Sequence, residues 1–396
     1  MKTTFNNSYL LLYDVALVST LFTLVHGYSS FGLYNSIVTF LLRYVAIFFS
    51  LIAFVLSIQK YKKADSIYIF LSLFLVLIVG YMSEDLVTLW LSYVVIIGAR
   101  DVSFKHIVKV HLFSMSFFCL TNMLAYEMGW TDNASFNIEQ ERESVFGDVV
   151  ERKRYGYLAG TDYANHVIFI LIDYWLLKEG RFNILEYFVY AFFGYFIFVN
   201  CDARLATVCI FSILCFSPIA NFLRMQKDSF CLLIRWLLVL SIPLFAVGSL
   251  YTTFAYDEAN IDWVLLDTFL SGRLTLSQDA LQKYGIPWFG QFFVLYGTGN
   301  EDISNSYDYV DSSYVQYYLR WGWILTSFII YAFFKIGKQA MKRNDVSFLL
   351  SLFLAGMVGV FCQFLFHLGY CIMILALCAS HYDQNINRPK IEYKFK

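Results

Sequence analysis

Residues 184–220, ILEYFVYAFFGYFIFVNCDARLATVCIFSILCFSPIA, decide the fold class of this chain. Two continuous apolar runs, 184–200 and 205–220, flank a short polar connection that holds Asp202 and Arg204. Each run approaches the roughly 20 apolar residues that a membrane-crossing helix needs. Barrel strands would alternate apolar and polar residues, and these runs do not. The segment therefore predicts a helical membrane hairpin.

The same pattern recurs along the whole chain. Its 396 residues are 59% hydrophobic and 15% charged, with a mean hydropathy of +0.58, which excludes a soluble globular protein. We predict an all-α polytopic membrane protein whose residues 1–396 form one transmembrane domain. About twelve apolar spans are expected, at residues 9–26, 34–58, 66–82, 85–99, 107–126, 163–177, 184–200, 205–220, 232–252, 314–334, 346–366 and 369–380.

The distribution of positive charge predicts the orientation. Most of the 29 basic residues fall in connections on one side, if the spans alternate as predicted. The positive-inside rule assigns that side, together with both termini, to the cytoplasm. Two longer insertions then face outward, at residues 127–161 and 253–313. Within the first, the charge-dense stretch 137–157 is interpreted as a short amphipathic helix.

Three arginines lie near outer helix ends: Arg204, Arg273 in the long loop, and Arg320 after VDSSYVQYY. Each has an ordinary explanation, such as an ion pair of Arg204 with Asp202 or attraction to lipid headgroups. Together they predict a diphosphate site, because guanidinium groups pair two oxygens at once and stay charged. Fixed arginines can stabilise a leaving diphosphate without a metal, and neither a metal site nor a cofactor motif is visible in the sequence.

Candidates for acid–base chemistry are the outer histidines. Asp162 precedes His166 by four residues, so on a helix the carboxylate would orient the imidazole of His166. His367 follows the eleventh span. A polar helix entrance explains His166 as well as catalysis does. Asp311 fits a helix cap, or alternatively a contact with a sugar or an arginine. Trp288 and Tyr314 are candidate sugar-binding aromatics.

Five stretches resemble one group of enzymes. Residues 267–276 (DTFLSGRLTL), 284–291 (YGIPWFGQ) and 309–325 (YVDSSYVQYYLRWGWIL) resemble the late region of Wzy-type polysaccharide polymerases. Residues 201–214 (CDARLATVCIFSIL) resemble the arginine-bearing outer motif of the wider O-antigen polymerase and ligase group. Residues 156–166 (GYLAGTDYANH) resemble that group's segment entering the preceding helix pair. The similarity spans about Gly156 to Gly322, and the first 150 residues match in hydropathy alone.

The resemblance implies a GT-C-like membrane glycosyltransferase in the bacterial cytoplasmic membrane, with its site facing outward. Its substrate would be an undecaprenyl-diphosphate-linked oligosaccharide, polymerised into O-antigen, capsule or exopolysaccharide by a metal-free, inverting reaction. A chain-length regulator and a flippase would be partners, and no nucleic acid is involved. By position, Arg204 and Arg273 would contact the diphosphate. The long loop carries no histidine, so His166, Asp202 and His367 stay open as candidate bases.

Three other functions compete with this reading. A ligase of the same group would transfer finished polymer to another acceptor. A flippase or transporter of lipid-linked sugars would place ionisable residues along a mid-membrane cavity. A membrane acyltransferase would need a histidine within reach of a cytoplasmic donor; His106 and His111 lie on that side and are interpreted as ordinary positive-side residues.

Overall fold

The protein is described here from a computed structural model, which covers residues 2–29, 36–130, 141–143, 149–226, 228–270, 272–295 and 309–380. These residues form fourteen α-helices, and the protein is a multi-pass, all-helical membrane protein. The helices are α1 (Lys2–His26), α2 (Ser36–Ile58), α3 (Lys63–Met82), α4 (Leu86–Gly98), α5 (Phe104–Glu127), α6 (Gly160–Leu177), α7 (Ile184–Cys201), α8 (Arg204–Met225), α9 (Ser229–Val239), α10 (Ser241–Ala255), α11 (Ile261–Phe269), α12 (Arg273–Tyr284), α13 (Ser313–Lys342) and α14 (Val346–Phe361).

The expectation of twelve spans is not confirmed. Among the described residues, seven helices are long and apolar enough to cross a membrane: α1, α2, α3, α5, α7, α8 and α13. The predicted ninth span is two helices, α9 and α10, that meet at a bend of 57°; counted together they raise the number to eight. Helices α4 and α14 are apolar but shorter, and α6 carries Asp162 and Asp173 within its 18 residues.

The predicted twelfth span, 369–380, is the clearest correction. Its only helical part is a 3₁₀ helix at Met373–Leu377, and residues 362–380, which we term the traversing segment, are otherwise non-helical and almost entirely buried. Ser313 N donates to Cys362 O at one end of the bundle, whereas Phe104 N donates to Ser380 O at the other. The segment therefore runs through the protein interior from end to end, shielded from lipid, as non-helical backbone at membrane depth must be.

Side chains of neighbouring helices satisfy the backbone of the traversing segment. Ser313 Oγ donates to Cys362 O and accepts from Leu365 N at 3.1 Å. Tyr317 OH donates to Gln363 O at 2.6 Å and accepts from Phe366 N at 3.0 Å. Buried backbone groups need such partners, so α13 replaces the hydrogen bonds that a helix would have made for itself.

The buried fraction of each helix distinguishes the central helices of the bundle from the peripheral ones. The apolar windows of α2 and α3 are only 28% and 22% buried, with phenylalanines such as Phe48 and Phe74 facing outward, whereas the window of α1 is 56% buried. Outward-facing apolar side chains on peripheral helices are what a surrounding lipid bilayer accommodates.

Both predicted outer insertions contain ordered structure. In the first, residues 141–143 and 149–151 form a two-stranded antiparallel hairpin, so the prediction of an amphipathic helix over 137–157 was wrong for these residues. The second contains α11 and α12 and an extended stretch up to Leu295, while 296–308 lie outside the described residues. Both insertions lie at the end of the bundle where α13 begins. Leu158 N of the first donates to Tyr28 O, and the Tyr28 ring packs against Phe364 near the start of the traversing segment. Arg273 of the second pairs with Asp311, just before α13.

Candidate functional site

An ion pair links the long loop to the start of α13. Arg273 Nε lies 2.8 Å from Asp311 Oδ2, and the two side chains are 24% and 26% exposed. Arg273 Nη1 also donates to Leu270 O at 2.9 Å. The sequence had suggested both residues for substrate contact, and the tertiary structure brings them together across 38 residues of chain.

Local capping explains how Arg273 is presented. Asp267, near the end of α11, accepts hydrogen bonds at Oδ1 from Leu274 N at 2.7 Å and at Oδ2 from Thr275 Oγ1 at 2.6 Å. These bonds satisfy donors at the start of α12. Gly272 adopts φ +78°, a left-handed conformation that glycine adopts without strain. The sharp turn places Arg273 as the first residue of α12.

A small hydrophobic cluster fixes α12 against the beginning of α13. Its buried members come from both sides of the contact: Ala280, Leu281, Phe293, Leu295, Val310, Val315 and Leu319. It is separate from the main core, so this part of the loop has its own apolar support. The cluster therefore holds the loop arginine beside the carboxylate of α13.

A second carboxyl group, Asp162, interacts electrostatically with Asp311. It lies half-buried in the first turn of α6. Burial and the negative charge of Asp311 raise the pKa of Asp162 to about 7, against the opposing effects of a backbone hydrogen bond from Ala159 and the charge of Arg152. Burial also raises the pKa of Asp311, and Arg273 offsets only part of that effect. Two interacting carboxyl groups of this kind tend to titrate at different pH values.

Two further arginines carry positive charge in this region. Arg152 donates from Nε to Cys201 O at 2.9 Å, and its positive charge acts on both Asp162 and Asp311. The guanidinium of Arg320 lies 5.5 Å from the centre of the Phe293 ring, and its charge acts on Asp85. Arg320, Asp85 and Asp162 all act electrostatically on Tyr28, which connects the two groups of charges. We refer to these six side chains as the acid–arginine cluster: Asp85, Asp162, Asp311, Arg152, Arg273 and Arg320.

A break in α13 lies directly below Arg320. Gly322 has φ +77° and ψ 178°, and the loop residues YGIPWFGQ dock there through their backbone. Trp323 N donates to Pro287 O at 2.9 Å, and Gln291 N donates to Arg320 O at the same distance. A Cβ on Gly322 would lie 2.6 Å from Pro287 O, so only glycine allows this approach. The long loop thus provides hydrogen-bond partners for the backbone groups of Arg320 and Trp323 that the break leaves without helical partners.

The predicted orientation of His166 by Asp162 is not what the structure contains. His166 is 1% exposed, its Nε2 lies 2.9 Å from Gly369 O, and its ring stacks on Tyr370. Because a carbonyl oxygen only accepts, His166 Nε2 must carry the hydrogen. The side chain holds the traversing segment, and among the described residues its Nδ1 has no hydrogen-bond partner.

His367 belongs to the traversing segment itself. It is 8% exposed and packs edge-on against Tyr28 with ring centres 5.2 Å apart. The assignment of His166 or His367 as the base stays a prediction.

Arg204 and Asp202 form a local ion pair, which the sequence had offered as the structural alternative to a role of Arg204 in binding substrate. Arg204 Nε donates to Asp202 Oδ1 at 3.3 Å, with Asp202 in a left-handed conformation at the C-cap of α7. The assignment of Arg204 to the diphosphate site stays a prediction, as does that of Asp202 as a base. Of the three predicted arginines, Arg273 and Arg320 are members of the cluster, which also contains Arg152.

The three predicted sugar-binding residues have different surroundings. Asp311 is in the cluster, whereas Trp288 is 69% exposed on the docked loop. Tyr314 is 1% exposed and donates its hydroxyl to Gly356 O at 2.9 Å, so its ring would have to move to meet a ligand. Within the described parts of the chain, no group of three or more histidine, cysteine or acidic side chains could hold a metal.

Sequence reasoning missed Arg152 and Asp85, and it gave Asp162 only a supporting role. It also missed the buried pair formed by His111 Nδ1 and Asp173 Oδ2. The other ring nitrogen of His111, Nε2, lies 3.1 Å from Leu368 O. His111 is thus not an ordinary positive-side residue. The charge of Asp173 inside an apolar run was the available signal, since intramembrane carboxyl groups usually have partners.

No protein-family model, curated protein or solved structure matches this chain. The resemblance to Wzy-type polymerases therefore rests on the quoted motifs alone.

Proposed function

We propose that the chain is a Wzy-like glycosyltransferase that polymerises lipid-diphosphate-linked oligosaccharides at the acid–arginine cluster. The observation that carries this proposal is the pairing of Arg273 with Asp311 beside Asp162, at one end of a membrane-embedded helix bundle. Lipid-linked donors present their diphosphate at such an end. The motifs that resemble the polymerases supply Arg273, Asp311 and Asp162.

The arginines would stabilise the leaving group. As the bond between the anomeric carbon and the diphosphate oxygen breaks, negative charge accumulates on the diphosphate. Arg273 is held by Asp311 and Leu270, so its guanidinium requires little reorganisation during the reaction. Arg152 and Arg320 would extend the positive charge to the sides of the site.

Asp162 would act as the general base. The hydroxyl of the acceptor sugar attacks the anomeric carbon, a new glycosidic C–O bond forms, and the hydroxyl proton passes to the Asp162 carboxylate. A pKa of about 7 suits this role, because a base is most effective when its pKa lies near the working pH. Asp162 replaces the histidines as our favoured base because it is half-buried in the cluster, whereas His166 donates to Gly369 O.

The transporter alternative predicts ionisable side chains along a mid-membrane cavity. His111 and Asp173 lie in the interior, but they are 0% and 3% exposed and hydrogen-bonded to each other. Their contact with Leu368 O supports a packing role for the pair. We therefore favour group transfer over transport.

The test is polymerisation of a synthetic lipid-linked repeat unit by the purified, full-length protein without added nucleotide or metal. Wild-type protein should produce a ladder of products. Asp162→Asn should lower the rate about a hundredfold or more, as expected for loss of a general base. His166→Gln, which keeps a hydrogen-bond donor for Gly369 O, should retain most of the activity.

The arginines provide the matched comparison. Arg273→Gln should lower the rate strongly, whereas Arg204→Gln, which removes an arginine that is paired locally with Asp202, should have a smaller effect. A normal ladder from Arg273→Gln would refute the diphosphate site. Transfer to a terminal acceptor without chain growth would favour the ligase instead.

A further inference from the structure

A lateral groove lies away from the acid–arginine cluster. It is formed by α3, α4, the lower part of α13 and the traversing segment, and its volume is about 540 Å³. Ligand sites typically measure about 300–1,000 Å³. Most of its wall is apolar and includes Ile69, Val76, Leu89, Ile329 and Ile374. Tyr68 and Tyr331, which are 72% and 60% exposed, mark its outer rim.

Positive charge gathers at one end of this groove. Arg100, at the end of α4, and Lys335, on α13, both line it, and both charges act on the thiol of Cys378. Arg100 lies 3.9 Å from Asp101 and packs over the Tyr61 ring. Within the described part of the chain, Lys335 has neither a hydrogen bond nor an ion pair. Asp65, which is exposed, contributes a carboxylate to the groove wall.

The groove extends from these cations toward the acid–arginine cluster. Leu325 and Lys335 both line it, and ten helical residues correspond to about 15 Å. At its far end, Phe366 contacts Trp321 edge to face, and Trp321 Nε1 donates to Asp85. Aromatic side chains therefore separate the groove from the cluster.

We propose that the groove binds one anionic phospholipid from the leaflet at the Arg100 end. Its phosphate would lie between Arg100 and Lys335, and an acyl chain would run along the apolar wall toward Phe366. Basic pockets between transmembrane helices bind acidic headgroups in this way. The charge complementarity identifies the occupant as an anionic lipid.

The position of the cations distinguishes this lipid from the lipid-linked donor. A donor with its diphosphate at Arg273 would extend only its hydrocarbon tail toward Arg100 and Lys335, at the opposite end of the bundle. Such a donor would bring no phosphate to these cations, and Lys335 would keep no ion-pair partner among the described residues. A phospholipid headgroup at the Arg100 end satisfies both the charged and the apolar parts of the groove.

The experiment is native mass spectrometry of the full-length protein after delipidation and incubation with defined lipids. Phosphatidylglycerol should bind with an occupancy of one and more tightly than phosphatidylcholine of the same acyl chains. The Arg100→Gln/Lys335→Gln double variant should lose about tenfold or more in affinity for phosphatidylglycerol, as expected for two headgroup cations. Lys338→Gln, three residues along α13 and outside the groove, is the matched control.

A second variant tests the apolar part. Ile329→Trp should fill the groove and reduce phosphatidylglycerol binding while leaving Arg100 and Lys335 in place; its melting temperature and elution volume would establish that it folds. Equal affinity for the two lipids, or unchanged binding by the double variant, would refute the proposal. If undecaprenyl phosphate binds more tightly than phosphatidylglycerol and depends in the same way on Arg100 and Lys335, the groove binds a polyprenyl lipid and the phospholipid proposal is wrong.

Discussion

The interior of the bundle and its Arg273 end use similar residues in opposite ways. In the interior, His111 is paired with Asp173, and both His111 and His166 are hydrogen-bonded to backbone carbonyls of the traversing segment. At the Arg273 end, Asp162, Asp311 and Arg273 are half-buried and retain part of their surface for a ligand. The difference teaches that burial and backbone contacts, rather than residue type, separate structural from candidate functional ionisable groups.

The largest expected effect is the loss of the interior pair. His111→Ala leaves Asp173 buried without its partner, and removing one member of a buried pair costs about 3 kcal/mol or more. We expect a large fall in melting temperature in detergent. His106→Ala is the control, because His106 and Asp14 form a 2.8 Å pair that is 34% and 25% exposed. That variant should lose about 1 kcal/mol or less. Equal losses of stability in His111→Ala and His106→Ala would show that the buried pair and the partly exposed pair do not differ in their contribution to stability.

A smaller effect is expected at the break in α13. Gly322→Ala places a Cβ against Pro287 O in a backbone conformation that is nearly exclusive to glycine, at a cost of about 2 kcal/mol. The loop should detach, so the melting temperature and the polymerisation rate should both fall. Gly248→Ala, in α10 with no atom within 4 Å of the new Cβ, should leave both unchanged. An unaffected Gly322→Ala protein would show that loop docking does not support the site.

Another expected effect concerns the pH dependence of stability. Because the pKa of Asp162 is raised to about 7 in the folded protein, the folded state holds a proton that the unfolded state releases near pH 4. Wild-type stability should therefore decrease as pH rises from about 4 to about 7 and then level off. Asp162→Asn should remove this part of the dependence, so its melting temperature should exceed that of wild type most clearly above pH 7.

The control for this measurement is Asp279→Asn, on the exposed side of α12. It should follow the wild-type curve. If Asp162→Asn and Asp279→Asn behave alike, Asp162 does not have a raised pKa, and its proposed role as the base loses its main support.

Sequence patterns predicted the helical bundle well where the apolar runs were long. The runs at 184–200 and 205–220 became α7 (Ile184–Cys201) and α8 (Arg204–Met225), of which α8 continues past the predicted end. The run at 369–380 failed because composition cannot distinguish a lipid-facing helix from a buried non-helical segment. That segment is possible because Ser313, Tyr317, His111 and His166, all on helices outside it, are hydrogen-bonded to its backbone. The partners of His111 and His166 are 257 and 203 residues away along the chain.

The site was predicted in part. Arg273, Arg320 and Asp311 were recognised because charged residues near membrane-helix ends stand out against apolar surroundings. Arg152 was not singled out, because it lies in a charge-dense insertion where its neighbours are also charged and nothing in the sequence distinguishes it from them. His166 was assigned to Asp162 by helical spacing, but the traversing segment offered a carbonyl oxygen that no local pattern reveals.

The sequence by itself determined that this is a helical, multi-pass membrane protein, because continuous apolar runs can satisfy their backbone in lipid only as helices. It also marked the long loop and its arginine. Only the tertiary structure decided which charges meet: it paired Arg273 with Asp311, brought Asp162 and Arg152 beside them, and assigned the histidines to the interior. Those pairings follow from the docking of the loop on Gly322 and from the path of the traversing segment, and both depend on contacts between residues far apart in the chain.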